Sequence, residues 1–257
     1  MSARTNNLQG ASFAVLRSRD EIHAAERRLV DRHLISAEPK AGERLLQRVG
    51  ELARWPSAAA NLRPDPIKSW DVELALEAIG ASVDRSESVL DMGTVGCAVL
   101  PALHELGYER LYGVDLNPQV LHIPSHHAIR YSALDMTATN FDDATFSAIT
   151  SISVIEHGVH AETLFREVAR LLRPGGVFLF STDYWPEKID TSDVTLFDLA
   201  WTIFSAEEIA DLVHCAAGYG LAPAGEIAPT LLNVDARPVS FADRHYTFLF
   251  GALTRNA

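Results

Sequence analysis

Ser88-Val89-Leu90-Asp91-Met92-Gly93-Thr94-Val95-Gly96-Cys97 is the stretch on which the fold turns. A short apolar run ends in an acid, enters a turn with two glycines, and opens a segment, Cys97 to Leu106, whose composition predicts a helix. Glycines suit such a turn because the backbone must reverse sharply and a ligand must approach it with no Cβ in the way. The next strand-like run, Arg110 to Asp115, ends in a second acid 22 residues after Gly93. That spacing is what a βαβ unit needs to bring a carboxylate to the hydroxyls of a bound ribose. Further out, strands are predicted near Ala128 to Ala133, Ser147 to Ser153, Gly176 to Thr182, Gly220 to Pro223 and His245 to Leu253. Helices are predicted over Asp71 to Ile79, Ala161 to Leu172 and Ser205 to Ala217, the last headed by a Ser205/Glu208 capping box. Arg173-Pro174-Gly175-Gly176 reads as a stop and turn. Alternating strands and helices predict an α/β fold with a doubly wound, mostly parallel sheet.

A dinucleotide fold shares this geometry. The dinucleotide pattern, however, places a glycine two residues after the first, where this chain has Val95. Asp91, just before the turn, would repel a pyrophosphate but attract a cationic amino group. The ligand suggested is an adenosine carrying an amino acid, and an NAD-dependent oxidoreductase is the disfavoured alternative. By itself the stretch also fits a plain tight turn.

In these residues the sequence resembles the class I S-adenosylmethionine-dependent methyltransferases, well over about residues 68 to 183 and in outline elsewhere. The resemblance implies a Rossmann-like, seven-stranded fold and S-adenosylmethionine as cofactor. Asp91, Gly93 and Gly96 match the family's first motif, with Cys97 in place of its usual third glycine, in the predicted helix's first turn. Asp115 matches the ribose-binding acid, with Leu116 beside it to pack on the adenine. Asp135 matches the acid that bonds the adenine amino group, and Met136 would line the ring. Phe146 to His157 resembles the family's fourth strand, with Ser153 toward the cofactor and Glu156-His157 after it, although Ser147 departs from the usual Asp. Lys68-Ser69-Trp70 resembles an element that closes over the cofactor, Lys68 meeting the methionine carboxylate and Trp70 covering the ligand. Surface placement of Lys68 beside a packed Trp70 is the alternative.

The acceptor implied is a small molecule, first a hydroxyl of a metabolite, sugar or natural-product intermediate. A hydroxyl needs a base. His157 is the leading candidate, with His160 and Asp183 on the same rim, and a structural role for His157 stands beside that reading. Tyr184, Trp185 and Trp201 are candidates for walls of an acceptor pocket, with Phe197 and Phe204 read rather as packing. A degenerate, non-catalytic binding module is the alternative function, against which Asp91, Gly93, Gly96, Asp115 and Asp135 all speak.

The remaining sequence narrows these readings. The chain has 257 residues, 47% apolar and 22% charged, in the range of an ordinary globular core. A net charge of −12 argues against nucleic acid as a partner. Cys97 and Cys215 supply no disulfide framework or CxxC spacing, and no apolar leader or membrane-length run is present, so a cytoplasmic protein without a membrane role is expected. Adjacent His126 and His127 cannot share one ion from a strand, and no metal is expected. Residues 1–66 are read as an N-terminal helical extension or lid, with helices from Arg19 to Arg54 interrupted near Pro39, and 67–257 as the cofactor-binding domain. Oligomeric state is not legible.

Overall fold

The computed structural model describes residues 13–36, 65–124, 127–196, 198–228 and 230–256. The first half of the chain provides β1 (Phe13–Val15), α1 (Arg19–Asp31), a 3-10 turn (Pro66–Lys68), α2 (Ser69–Ser82), β2 (Ser88–Met92), α3 (Val99–Glu105), β3 (Arg110–Asp115) and β4 (Ile129–Ala133). The second half provides β5 (Phe146–Ile152), α4 (Ala161–Leu171), β6 (Leu172–Tyr184), β7 (Thr195–Leu196), β8 (Leu199–Ala200), α5 (Ala206–Gly218), β9 (Leu221–Pro223), β10 (Val239–Phe241) and β11 (Arg244–Arg255).

The main sheet follows the order β1-β11-β6-β5-β2-β3-β4, with β9 and β10 both paired to β11. Strands β2 to β6 run parallel and β11 is antiparallel to β6. Every residue of β5 is buried, and Val89, Leu90 and Met92 of β2 are fully so, as strands covered on both faces require. From β2 the chain crosses to β3, toward one edge of the sheet; from β5 it crosses to β6, toward the other. Right-handed crossovers therefore put α3 and α4 on opposite faces. The reversal of direction between β2 and β5 is the topological switch point, and their carboxyl ends open the crevice where doubly wound sheets bind ligands.

Three local expectations need correction. Residues Phe13–Val15, placed with the N-terminal helical extension and given no strand, pair with β11 in the sheet. Phe13 is buried edge-on against Phe180, 6.0 Å between ring centres, so three apolar residues suffice for an edge strand. Cys97 lies outside the helix: a turn closed by Cys97 N–H donating to the Thr94 carbonyl at 3.1 Å delays α3 to Val99. The Arg173–Gly176 turn is drawn into β6, where Gly175 takes a φ of +76° and the register against β5 slips between Phe146 and Ala148. Pro174 disfavours helical geometry at Arg173, which is consistent with α4 stopping at Leu171. The helices expected beyond residue 36, with Pro39, lie outside the described residues, as do His126 and Phe197.

The capping box that heads α5 is present, Ser205 Oγ accepting from Glu208 N–H and Glu208 accepting from Ser205 N–H at 2.8 Å. Ser205→Ala is expected to cost about 1 kcal/mol of stability, read as a shift of the urea midpoint.

Candidate active site

The glycine turn sits on the switch point. Gly93 N–H and Thr94 N–H donate to the Val114 carbonyl at 2.8 and 3.2 Å, and Gly93 and Gly96 both adopt a φ of +77°. A Cβ on Gly93 would lie 2.3 Å from a methyl of Val154, the second residue after β5, so the turn and the end of β5 are in direct contact. Asp91 is fully buried beneath the turn. Thr150 Oγ1 donates to its Oδ1 at 2.6 Å, and its Oδ2 is buried with no hydrogen-bond partner. Burial pushes its pKa up to about 6 against the pull of Thr150, Thr94 and Cys97.

Asp115 is engaged by the backbone of its own neighbourhood. Its Oδ2 accepts Val95 N–H at 3.0 Å and its Oδ1 accepts Asn117 N–H at 2.8 Å, so it fixes the glycine turn. Leu116 beside it is 65% exposed. Asp135 is exposed and its Oδ1 accepts from Thr137 N–H and Oγ1, at 2.8 and 2.7 Å, while Met136 is buried.

A second group forms beyond β5. Lys68 Nζ donates to Ser153 Oγ at 2.5 Å and stands 4.0 Å over the Phe248 ring. Ser153 has a φ of +51°, and its N–H donates to the Ser181 side chain at 3.1 Å. Ser181 Oγ in turn donates to Asp71 at 2.6 Å. Around them lie three buried acids, Asp71, Glu156 and Asp183. Asp183 accepts the Trp201 indole N–H at 2.7 Å, and Glu156 accepts Thr182 Oγ1 at 3.3 Å. Trp70 is packed in the core, where it cannot cover a ligand as expected, because α2 buries it. His157 is half-buried on the loop after β5, and burial, reinforced by Lys68, lowers its pKa to about 4. His160 is exposed at the head of α4.

The structure thus joins Asp91, Gly93, Gly96 and Asp115 in one place and Lys68, Ser153 and Asp183 in a neighbouring one. Sequence reasoning missed Asp71 and Tyr246, and it noted Glu156 beside His157 in the motif without giving it a role.

The fit to an adenosyl amino acid rests on two observations: the orphaned Asp91 Oδ2 under the turn, and a turn whose glycine leaves no room for a Cβ. A family model described as a methyltransferase domain matches residues 90–180. The ubiquinone biosynthesis O-methyltransferase of Coxiella burnetii (strain Dugway 5J108-111) is 26% identical over 148 residues, 53% of this chain and 60% of that protein. Its counterpart in Xanthomonas oryzae pv. oryzae (strain PXO99A) is 27% identical over 140 residues, 50% and 56% of the two chains. The match thus spans 60% or less of these curated relatives' length. Among solved structures, geranyl diphosphate C-methyltransferase from Streptomyces coelicolor A3(2) shares the fold with a TM-score of 0.56, at 19% identity over 88% of each chain. With this fold, an acid-glycine turn on the switch point and a match over residues 90–180 to a methyltransferase domain, the chain carries a methyltransferase domain on the fold of the class I S-adenosylmethionine-dependent enzymes.

Proposed function

We propose that the chain binds S-adenosylmethionine and transfers its methyl group to a hydroxyl of a small organic acceptor. The observation that carries this reading is the placement of Asp91, Gly93, Gly96 and Asp115 on the switch point, one residue from the Lys68–Ser153 contact. When bound, the cofactor supplies an electrophilic methyl group on a sulfonium.

The chain's part is to bind, orient and handle a proton. Asp91 Oδ2, buried without a partner, is suited to accept the amino group of the ligand. Asp115 has carboxylate lone pairs beyond those spent on Val95 and Asn117, and these suit the ribose hydroxyls. Leu116 offers an exposed apolar flank and Met136 a buried one for the adenine, with Asp135 at its edge. Lys68 and Ser153 close the methionine end. His157 stays neutral near pH 7 and is suited to orienting an acceptor hydroxyl by hydrogen bonding. Residues 1–66 are proposed to cover the acceptor side. In support, Arg28 of α1 pairs at 2.7 Å with Glu73 of α2, the helix whose first turn carries Asp71. No helix among the described residues is long and apolar enough to cross a membrane.

Titration calorimetry tests this. S-adenosylmethionine and S-adenosylhomocysteine are expected to bind and NAD is not. Asp115→Ala is expected to weaken both adenosyl ligands by about 1–3 kcal/mol through lost charge-assisted hydrogen bonds. Binding of NAD alone, or no adenosyl binding to folded protein, overturns the reading.

A further inference from the structure

We propose that the carboxyl groups of Asp71, Glu156 and Asp183, gathered around the Lys68 ammonium, form a proton store tied to the charge of the methyl donor: a proton leaves it when the sulfonium binds, and one returns as the methyl group is transferred. This rests on the methyl-transfer reading and deepens it by stating where the acceptor's proton goes.

The cluster is assembled from every side. Lys68 ends the 3-10 turn, Asp71 lies in the first turn of α2, Glu156 follows β5, Asp183 is the last residue but one of β6, and Tyr246 comes from β11. Asp71 is wholly buried, Glu156 is 1% exposed and Asp183 4%. Three carboxylates facing one ammonium would leave surplus negative charge in a site that water barely reaches, a costly arrangement unless protons are held there. Asp71 Oδ1 is buried without a hydrogen-bond partner, and Asp183 has only the Trp201 indole and the Tyr246 hydroxyl beside it, so the cluster has accepting capacity to spare. Burial raises the pKa of Asp71 to about 6, that of Glu156 well above the carboxylate range, and that of Asp183 upward, with Lys68 pulling each the other way. The negative charge of Asp183 raises Glu156 further, so protonation of the one bears on the other.

The cluster also lies where a sulfonium would be felt. Val154 touches Gly93, its neighbour Ser153 holds Lys68 and is linked through Ser181 to Asp71, so the cluster is joined by direct contacts to the turn that would bind the amino-acid end of the donor. A new positive charge at that distance favours the ionised carboxylates and expels a proton. In the transfer, the acceptor O–H and the donor C–S bonds break and a C–O bond forms. The C–S electron pair stays on sulfur, and the hydroxyl proton passes to the carboxylate of Glu156 or Asp183. Positive charge lost at sulfur is thereby matched by negative charge lost at the carboxylate.

Other groups facing the cluster do not mimic this. His157 is held neutral, Tyr246 is held protonated by burial and by Asp183, and Asp91 faces an amino group that donor and product share. Calorimetry of the full chain at pH 7, in buffers of different ionisation enthalpy, counts protons released by S-adenosylmethionine and by S-adenosylhomocysteine. The charged ligand is expected to release about half a proton or more beyond the neutral one. The near-isosteric pair Glu156→Gln and Asp183→Asn is expected to remove that difference, and each single substitution to shrink it. Equal counts in the unaltered protein overturn the proton store while leaving the methyl-transfer reading intact. So does an undiminished difference in the double variant, or in the singles where the double does not fold. Absence of binding by either ligand overturns both.

Discussion

Gly93→Val is expected to abolish binding of both adenosyl ligands and to destabilise the protein by about 2–4 kcal/mol, the sum of a left-handed backbone cost and an overpacked contact. Gly93 has a φ of +77°, which an L residue with a branched side chain adopts only under strain. Its missing Cβ is also the space that Val154 fills, two methyls lying 2.3 and 2.8 Å from where the Cβ would stand. Val154 has little freedom to retreat, because the neighbouring Ser153 N–H is tied to Ser181 across β6. Gly93→Ala separates the two terms. Combined with Val154→Ala the clash is relieved and the backbone cost remains, so the double variant is expected to recover about 1–2 kcal/mol. Urea unfolding measures the stability and calorimetry the affinity. A Gly93→Ala protein with unaltered midpoint and affinity would show that the turn is not built as described.

Asp183→Asn is expected to lower turnover by about 10²–10³, and His157→Gln by less than about tenfold, once an acceptor has been found by screening. Position alone favours the histidine, which follows β5 on the rim. The physical state of the two groups reverses the order. Desolvation drives the imidazole pKa down to about 4, so it holds a proton poorly at neutral pH, whereas burial raises the Asp183 carboxyl toward the range in which a base takes up a proton and keeps it. Asn keeps a side-chain oxygen available for the Trp201 indole, so the packing of the Trp201 segment against β6 is expected to survive and the loss to fall on kcat. Trp201→Phe is the control for packing, since it removes the indole N–H and leaves the carboxyl. The converse result, a large loss in His157→Gln with Asp183→Asn near normal, would return the proton to the imidazole.

What was legible in the sequence alone was local. Ser88 to Cys97 and Arg110 to Asp115 carry strand, acid, turn and second acid within one βαβ unit, where backbone demands and the spacing of a single crossover leave few alternatives. The Ser205/Glu208 cap was legible for the same reason. Local signals failed where a few residues depend on distant partners: Phe13–Val15 becomes a strand only because β11 is there to pair with it, and Trp70 is buried rather than open because α2 packs into the core. The acid cluster lies further still from anything a sequence displays. Asp71, Glu156, Asp183 and Tyr246 stand on separate elements, and although Asp183 is a candidate base by its rim position, nothing in the order of residues brings the other two acids beside it. Whether a carboxyl group is a surface charge or a buried proton carrier depends on its exclusion from water and on the charges beside it. Those are properties of the packed chain, so the sequence determined the fold and the outline of the adenosyl site, while the tertiary structure decided which residues around it can hold a proton.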